Sequence, residues 1–374
     1  MSLKEIFCQD KAISVLQRAF AAGRMSHAYI FAGPEGVGKF KTAREWARLL
    51  LCKNASKEKN GTDEFADSCG LCQSCLLFET GSHPDFNHIY KELREFTRDG
   101  KGKKTPVDLP IDVIREFLID KVSTKPTMSA MKVFIVSEAE KLNAASQNCL
   151  LKVLEEPPEY GCIILLCTRL KDLLPTTRSR CQIIHFAPIA EIRIIEQLKK
   201  AGLEQKRCEY FARLAEGSLG WACQWGRLEL ADANLYQAKR QLLDAISKYR
   251  YPDALDLAQR FLAQSQRLAS VWAKLDASTS VTDINRRAAK TLVRVVISAL
   301  RDAMKSNVTG TEKIVNFDQA EQIKNLASRF GTEKAGEKII DACRSMLWID
   351  SSVNEKLIFD QLLLNLAVSD TISS

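Results

Sequence analysis

No stretch of the 374 residues approaches the roughly 20 consecutive apolar residues that a membrane-spanning helix needs, so no helical span is expected. The opening residues, MSLKEIFCQDKAI, carry Lys4 and Glu5 and no uninterrupted apolar segment, which argues against a secretory leader and for a cytoplasmic protein. There is no internal repeat and no long low-complexity tract, so solenoid and disordered architectures are not expected. A strong charge excess is also missing: 54 Lys and Arg against 46 Asp and Glu give +8, which permits nucleic-acid binding without demanding it. Much of the local excess lies in RDGKGKKTP, residues 98–106, read as a solvated loop with phosphate contact as the sharper alternative. Twelve cysteines do not imply disulfides in a chain of this length and compartment. Several of them (Cys149, Cys162, Cys167) lie in apolar runs where cysteine acts as a small hydrophobe.

What is present is order. HAYIFA, residues 27–32, reads as a buried strand that runs into GPEGVGKFKTA, residues 33–43, and a helical period follows through Ala43, Trp46, Ala47, Leu50 and Leu51. A second strand is expected at Val133–Val136, then a helix over Ala144–Glu155 with Asn143 as N-cap and Pro157–Pro158 as its stop. CIILLC (162–167) and QIIHF (182–186) complete four strands alternating with helices, the pattern of a parallel sheet covered on both faces. After Pro188 no strand is expected: residues 189 to about 235 read as a small helical unit and the rest as a larger one.

The glycine loop carries the first chemistry. Gly33, Gly36 and Gly38 let backbone N–H groups turn toward phosphate oxygens, Lys39 would reach the β- and γ-phosphates, and the helix N-terminus adds its dipole. The pattern asks for a hydroxyl after the lysine to hold Mg²⁺, and Phe40 stands there; Thr42 lies on another side of the helix. The second strand should end in two carboxylates, but Ser137 takes the metal-side place and only Glu138 remains, with a plain solvated strand-end residue as its alternative reading. Thr168 ends the third strand, where a polar group can sense a γ-phosphate or orient water. Cys52, Cys69, Cys72 and Cys75, spaced C-x₁₆-C-x₂-C-x₂-C, suit tetrahedral Zn²⁺. Four protein ligands leave no open position, so that zinc would be structural; an Fe–S cluster is the alternative. The segment KNASKEKNGTDEFADS between them is expected to loop out, and His83 and His88 read as structural rather than as ligands.

HAYIFAGPEGVGKFKTA, CGLCQSC, LLKVLEEPP (150–158) and TTRSRC (176–181), in that order, resemble the bacterial clamp-loader AAA+ subunits, the delta-prime and gamma/tau chains of DNA polymerase III. FCQDKAI near the start and GSHPDF at residues 81–86 also fit, and the motif match covers roughly residues 5–190. The resemblance implies an α/β P-loop AAA+ domain with a five-strand parallel sheet over residues 1–187, with a zinc module inserted at 52–75. A helical lid over 188–236 and an all-α collar over 237–374 would follow. It implies partners as well: delta and gamma/tau subunits in a five-membered ring that spends ATP to open a sliding clamp and place it on primed DNA. Arg180, in Ser179-Arg180-Cys181, takes the role of an arginine finger on a neighbour's ATP.

GSLGWA, residues 217–222, resembles the lid motif in which active relatives place an arginine after Gly-Ser-Leu; here Gly220 stands there. Phe40, Ser137 and Gly220 depart from the pattern at three parts of one ATP site, while the motif that serves another subunit is intact. That asymmetry favours the delta-prime branch, in which the chain's own ATPase is lost and nucleotide and Mg²⁺ binding are doubtful. The alternatives are a gamma/tau-like hydrolysing motor and a zinc-dependent nucleic-acid-binding AAA+ module. No nucleotidyl-transfer site is recognised, so any polymerase activity belongs to the complex.

Overall fold

The computed structural model describes residues 2–60, 63–98, 108–277, 279–309, 314–351 and 353–367. Most of the basic stretch at 98–106 lies outside them. The chain divides into two units, Met1–Ile189 and Ala190–Ser374.

In the first unit α1 (Asp10–Ala21) precedes β1 (Ala28–Ala32) and α2 (Lys39–Leu51). A hairpin of β2 (Ser56–Asn60) and β3 (Asp63–Asp67) comes next, then α3 (Gln73–Glu79) and β4 (Phe86–Ile89). After α4 (Ile111–Ile114), a π-helical turn (Arg115–Ile119) and α5 (Asp120–Val122), the chain runs through β5 (Lys132–Val136), α6 (Ala144–Glu155), β6 (Gly161–Cys167), α7 (Pro175–Ser179) and β7 (Gln182–His185). The large sheet is parallel, in the order β4-β5-β6-β1-β7.

The central strands are apolar throughout because helices cover both faces. Tyr29, Phe31, Val133, Ile135, Cys162 and Ile164 pack toward Trp46 and Ala47 of α2, and Ala28, Ile30, Phe134, Val136, Ile163 and Leu165 toward Val113, Leu118, Leu150 and Leu154. The expected boundaries of α6 hold, and the Asn143 side chain accepts from the Ser146 N–H at 2.8 Å as N-cap.

Two expectations change. The segment between the cysteines pairs as the β2–β3 hairpin instead of looping out; Asn60 pairs with Asp63, and the sequence puts Gly61 first of the two residues between them, a signal that favours such a pairing. The fifth strand, absent from the reading of the residues themselves, is Phe86–Ile89 at the sheet edge. With two apolar residues in four it has too little pattern to announce itself.

GSHPDF fixes the approach to this strand. The Asp85 carboxylate is buried and accepts the N–H groups of Thr127, Met128 and Ser129 at 2.6, 2.9 and 2.9 Å. His83 Nδ1 accepts the Asp85 N–H at 3.1 Å and its Nε2 lies 2.8 Å from Ser74 Oγ, so His83 is structural.

The second unit contains α8 (Glu191–Lys200), α9 (Gln205–Leu214), α10 (Leu219–Leu230), α11 (Leu235–Lys248), α12 (Ala254–Leu275), α13 (Val281–Thr309), α14 (Ala320–Asp350, kinked at Gly331) and α15 (Glu355–Ala367). It has no strand among the described residues. Trp225 of α10 donates to Thr291 Oγ1 of α13 at 3.1 Å, and the buried Lys239 of α11 pairs with Asp318 between the rings of Tyr210 and Tyr236.

Burial opposes ionisation of Asp85, but the three backbone N–H groups and His83 outweigh it and hold the carboxyl below its usual range. Its contribution to stability is therefore present above an unfolded value of about 3.9 and lost as pH falls through the lower folded value. Acid titration of the unfolding free energy should show a steeper fall below pH of about 4 in the native chain than in Asp85→Ala; equal slopes would contradict this anchoring role.

Candidate functional site

The loop from Gly33 to Lys39 leaves the C-terminal end of β1, where a parallel sheet presents its ligand crevice. Gly33 is required by close approach: a Cβ there would lie 2.4 Å from the Phe186 carbonyl oxygen. Gly36 and Gly38 adopt φ of +74° and +105°, so the backbone curls as a phosphate cradle does. Lys39 is buried, and its Nζ donates to the carbonyls of Gly33 and Pro34 at 2.5 and 2.6 Å. Burial lowers its pKa, opposed by the field of Glu140.

The metal side of the cradle is occupied by the chain's own groups. Phe40, in the first turn of α2, packs against the imidazole of His88 with ring centroids 4.7 Å apart and planes tilted by 48°. His88 lies on β4 opposite Ile135, and its Nε2 is 2.8 Å from the hydroxyl of Ser137 just past β5. Tyr90 closes the imidazole's surroundings at 4.9 Å. The two positions where a magnesium hydroxyl and carboxylate are expected thus meet through one histidine. Thr42 does not replace the missing hydroxyl, since it is buried and donates to the Gly38 carbonyl at 3.1 Å.

The remaining predicted groups are also engaged. Glu138 has left-handed backbone (φ +51°), an ion pair with Lys141 at 2.6 Å and a longer one with Lys91 at 3.9 Å. Thr168 donates to Glu140 at 2.5 Å. Glu140 is the participant that sequence reasoning passed over, and His88, read there as structural, was not connected to Phe40 or Ser137. No local pattern marks either one, since each acts only through the strand order. Gly220 lies in the second unit, in the first turn of α10 behind the N-cap Ser218.

Cys52, Cys69, Cys72 and Cys75 come together, with all four sulfurs within 4.8 Å of one another. The pairs 52–69, 52–72 and 69–75 stand at 3.5, 3.9 and 4.0 Å, close to the roughly 3.8 Å edge of a tetrahedron of thiolates about 2.3 Å from one ion. Gly70 turns the chain at φ +73°, and the N–H groups of Cys69 and Cys72 point at the sulfurs of Cys52 and Cys69, both at 3.3 Å. Burial pushes the Cys75 thiol up to about 12, whereas at Cys72 backbone N–H groups outweigh burial and bring it to about 6. The donor set fits a metal ion.

Arg180 caps α7 and meets none of these groups. Its NH1 donates to the Thr176 carbonyl at 2.9 Å and its NH2 pairs with Glu155 at 2.6 Å, and its side chain remains one-third exposed.

A P-loop on a parallel sheet in this strand order, with a cysteine knot and a partly exposed arginine away from the loop, defines an AAA+ module with an altered metal side. Residues 8–190 match the family described as DNA polymerase III, delta subunit, and residues 233–367 match DNA polymerase III, delta subunit, C terminal. The chain belongs to the DNA polymerase III delta-subunit family. It is 28% identical over 354 residues to DNA polymerase III subunit delta' of Escherichia coli K12, covering 94% of this chain and 92% of that one. Similarity to DNA polymerase III subunit gamma/tau of Mycobacterium tuberculosis H37Rv is 35% over 179 residues, covering 48% of this chain and 27% of that one. A solved gamma subunit-related protein of Thermotoga maritima aligns over 94% of this chain and 98% of that one at 17% identity and a TM-score of 0.42, too distant to add to the argument.

Burial pulls the His88 pKa down to about 4, so the imidazole stays neutral at physiological pH. NMR titration should therefore find no His88 inflection between about pH 5 and 8; a midpoint near the ordinary value would mean the ring is solvated and the cluster open.

Proposed function

We propose that this chain acts as a delta-prime-type subunit of a clamp loader, contributing structure and one arginine to the ring while hydrolysing no ATP itself. The observation that carries this reading is the contrast between two ends of the first unit. Phe40, His88 and Ser137 fill the metal side of the chain's own cradle, whereas Arg180 stands partly exposed at the end of α7. An arginine presented to a neighbour's γ-phosphate stabilises developing charge and is worth about 10³ or more in rate.

The partners in this reading are delta and gamma/tau subunits in a five-membered ring, which acts on a sliding clamp and primed DNA in the cytoplasm. Residues 188–236 serve as the lid and 237–374 as the collar. Exposed Ile340, Leu347 and Trp348, which follow one helical stripe of α14, support assembly through the second unit. Zn²⁺ held by Cys52, Cys69, Cys72 and Cys75 is structural, tying the end of α2 to α3, because four thiolates leave no open position. Among the described residues no helix is long and apolar enough to cross a membrane. A gamma/tau-like motor would need Mg²⁺ ligands where Phe40 and Ser137 stand, and no observation favours it.

Two experiments test the reading. In the loader reconstituted with its partner subunits, Arg180→Ala should slow hydrolysis at the neighbouring site by about 10³ or more while the chain still assembles; unchanged turnover would refute the finger role. Metal analysis should find one zinc per chain, and Cys72→Ser should lower both zinc content and thermal stability; full stability without zinc would contradict a structural metal.

A further inference from the structure

We infer that Glu155 is a positioning residue for Arg180, fixing the guanidinium before a neighbour's phosphate arrives; this rests on the finger role proposed above. The location of Glu155 is the first clue. It is the last residue of α6, where the helix dipole disfavours a carboxylate. A negative charge there is stabilised by a cation brought to it, and Arg180 supplies one through NH2 at 2.6 Å.

The frame that carries Glu155 is fixed from two directions. Leu154 is buried, and its carbonyl accepts from His27 Nε2 at 3.1 Å, which ties the end of α6 to the start of β1. Beyond Glu156, Pro157 and Pro158 end the helix, and the Pro158 carbonyl accepts the Gly161 N–H at 2.8 Å at the start of β6. The acceptor is thus set by the same sheet that carries the glycine loop, and the arginine comes to it.

On the arginine side, α7 begins with Pro175 and ends at Arg180, whose backbone (φ −100°, ψ 0°) closes the helix. NH1 donates to Thr176 O at 2.9 Å and to Ser179 Oγ at 3.5 Å on its own helix, and NH2 forms an ion pair with Glu155 on another, so groups from two elements hold the guanidinium. With NH1 shared between Thr176 and Ser179 and NH2 paired with Glu155, two of the five N–H donors are left for a phosphate. Glu155 and Arg180 side chains are 47% and 33% exposed, which keeps the pair in the weak, solvent-screened class. Such a pair cannot lock an arginine away from a triphosphate. It can bias a long, flexible side chain toward one orientation, and pre-orientation of a transition-state donor speeds the chemical step without tightening ground-state binding.

The test uses the reconstituted loader, with kcat and KM for ATP measured for the chain carrying Glu155→Ala, Glu155→Asp, Arg180→Ala and the Glu155→Ala/Arg180→Ala pair. Expected are a fall of about fivefold in kcat at the served site for Glu155→Ala with KM unchanged, and partial recovery in Glu155→Asp. In the Arg180→Ala background, Glu155→Ala should have no further effect, and the melting temperature of the isolated chain should not move. If Arg180→Ala lowers kcat and Glu155→Ala leaves it unchanged or raises it, the positioning role fails while the finger stands. An effect of Glu155→Ala that persists without Arg180 also overturns it. If Arg180→Ala itself changes nothing, the finger reading fails and this inference with it.

Discussion

The imidazole of His88 is the contact on which the rest of the account depends. It sits on the edge strand β4, where parallel pairing with β5 brings it to the end of the sheet beside Ser137, and the first turn of α2 lays Phe40 on its other side. Each member requires the others. Phe40, 39% exposed, rests part of its ring on the imidazole, and the half-buried imidazole finds its hydrogen-bond partner in Ser137. A carboxylate in place of Ser137 would put a charge beside a histidine that burial keeps neutral. Two of the three altered positions, Phe40 and Ser137, thus share one contact through His88 rather than being independent losses.

The sheet thereby serves as a frame. Lys39 folds back on the carbonyls of Gly33 and Pro34, Glu138 pairs with lysines, and Thr168 is held by Glu140, so each polar group of the old pattern has found a partner within the chain. A buried polar group left without a partner is costly, and retention of the glycine curl with its lysine is explained by this satisfaction as much as by any ligand. The strand ends still fix α6 and α7, and with them Glu155 and Arg180.

Much of this was legible in the residues. The strand, glycine loop and helix over 27–51 announce themselves through apolar runs and turn chemistry, and the borders of α6 follow from Asn143 and Pro157–Pro158. The cysteine spacing pointed to four sulfurs that the fold does bring together. Legibility failed where sequence distance hides spatial proximity. β4 is short, half polar and at an edge, so neither the strand nor the contact of His88 with Phe40, 48 positions earlier, leaves a periodic trace. The β2–β3 hairpin was missed for a different reason: its strands are mostly polar, and only Gly61 in the sequence between them signals the turn. Glu140 and Glu155 gained their roles from partners on other elements, Thr168 and Arg180, which no local pattern links to them.

The central claim is that the chain's own cradle supports no metal-dependent chemistry. Its most direct test is ATP turnover by the purified chain alone, with and without Mg²⁺. The account predicts no turnover above background under either condition, whether or not nucleotide binds weakly. Substantial Mg²⁺-dependent turnover that disappears in Lys39→Ala would contradict it and make this chain a motor.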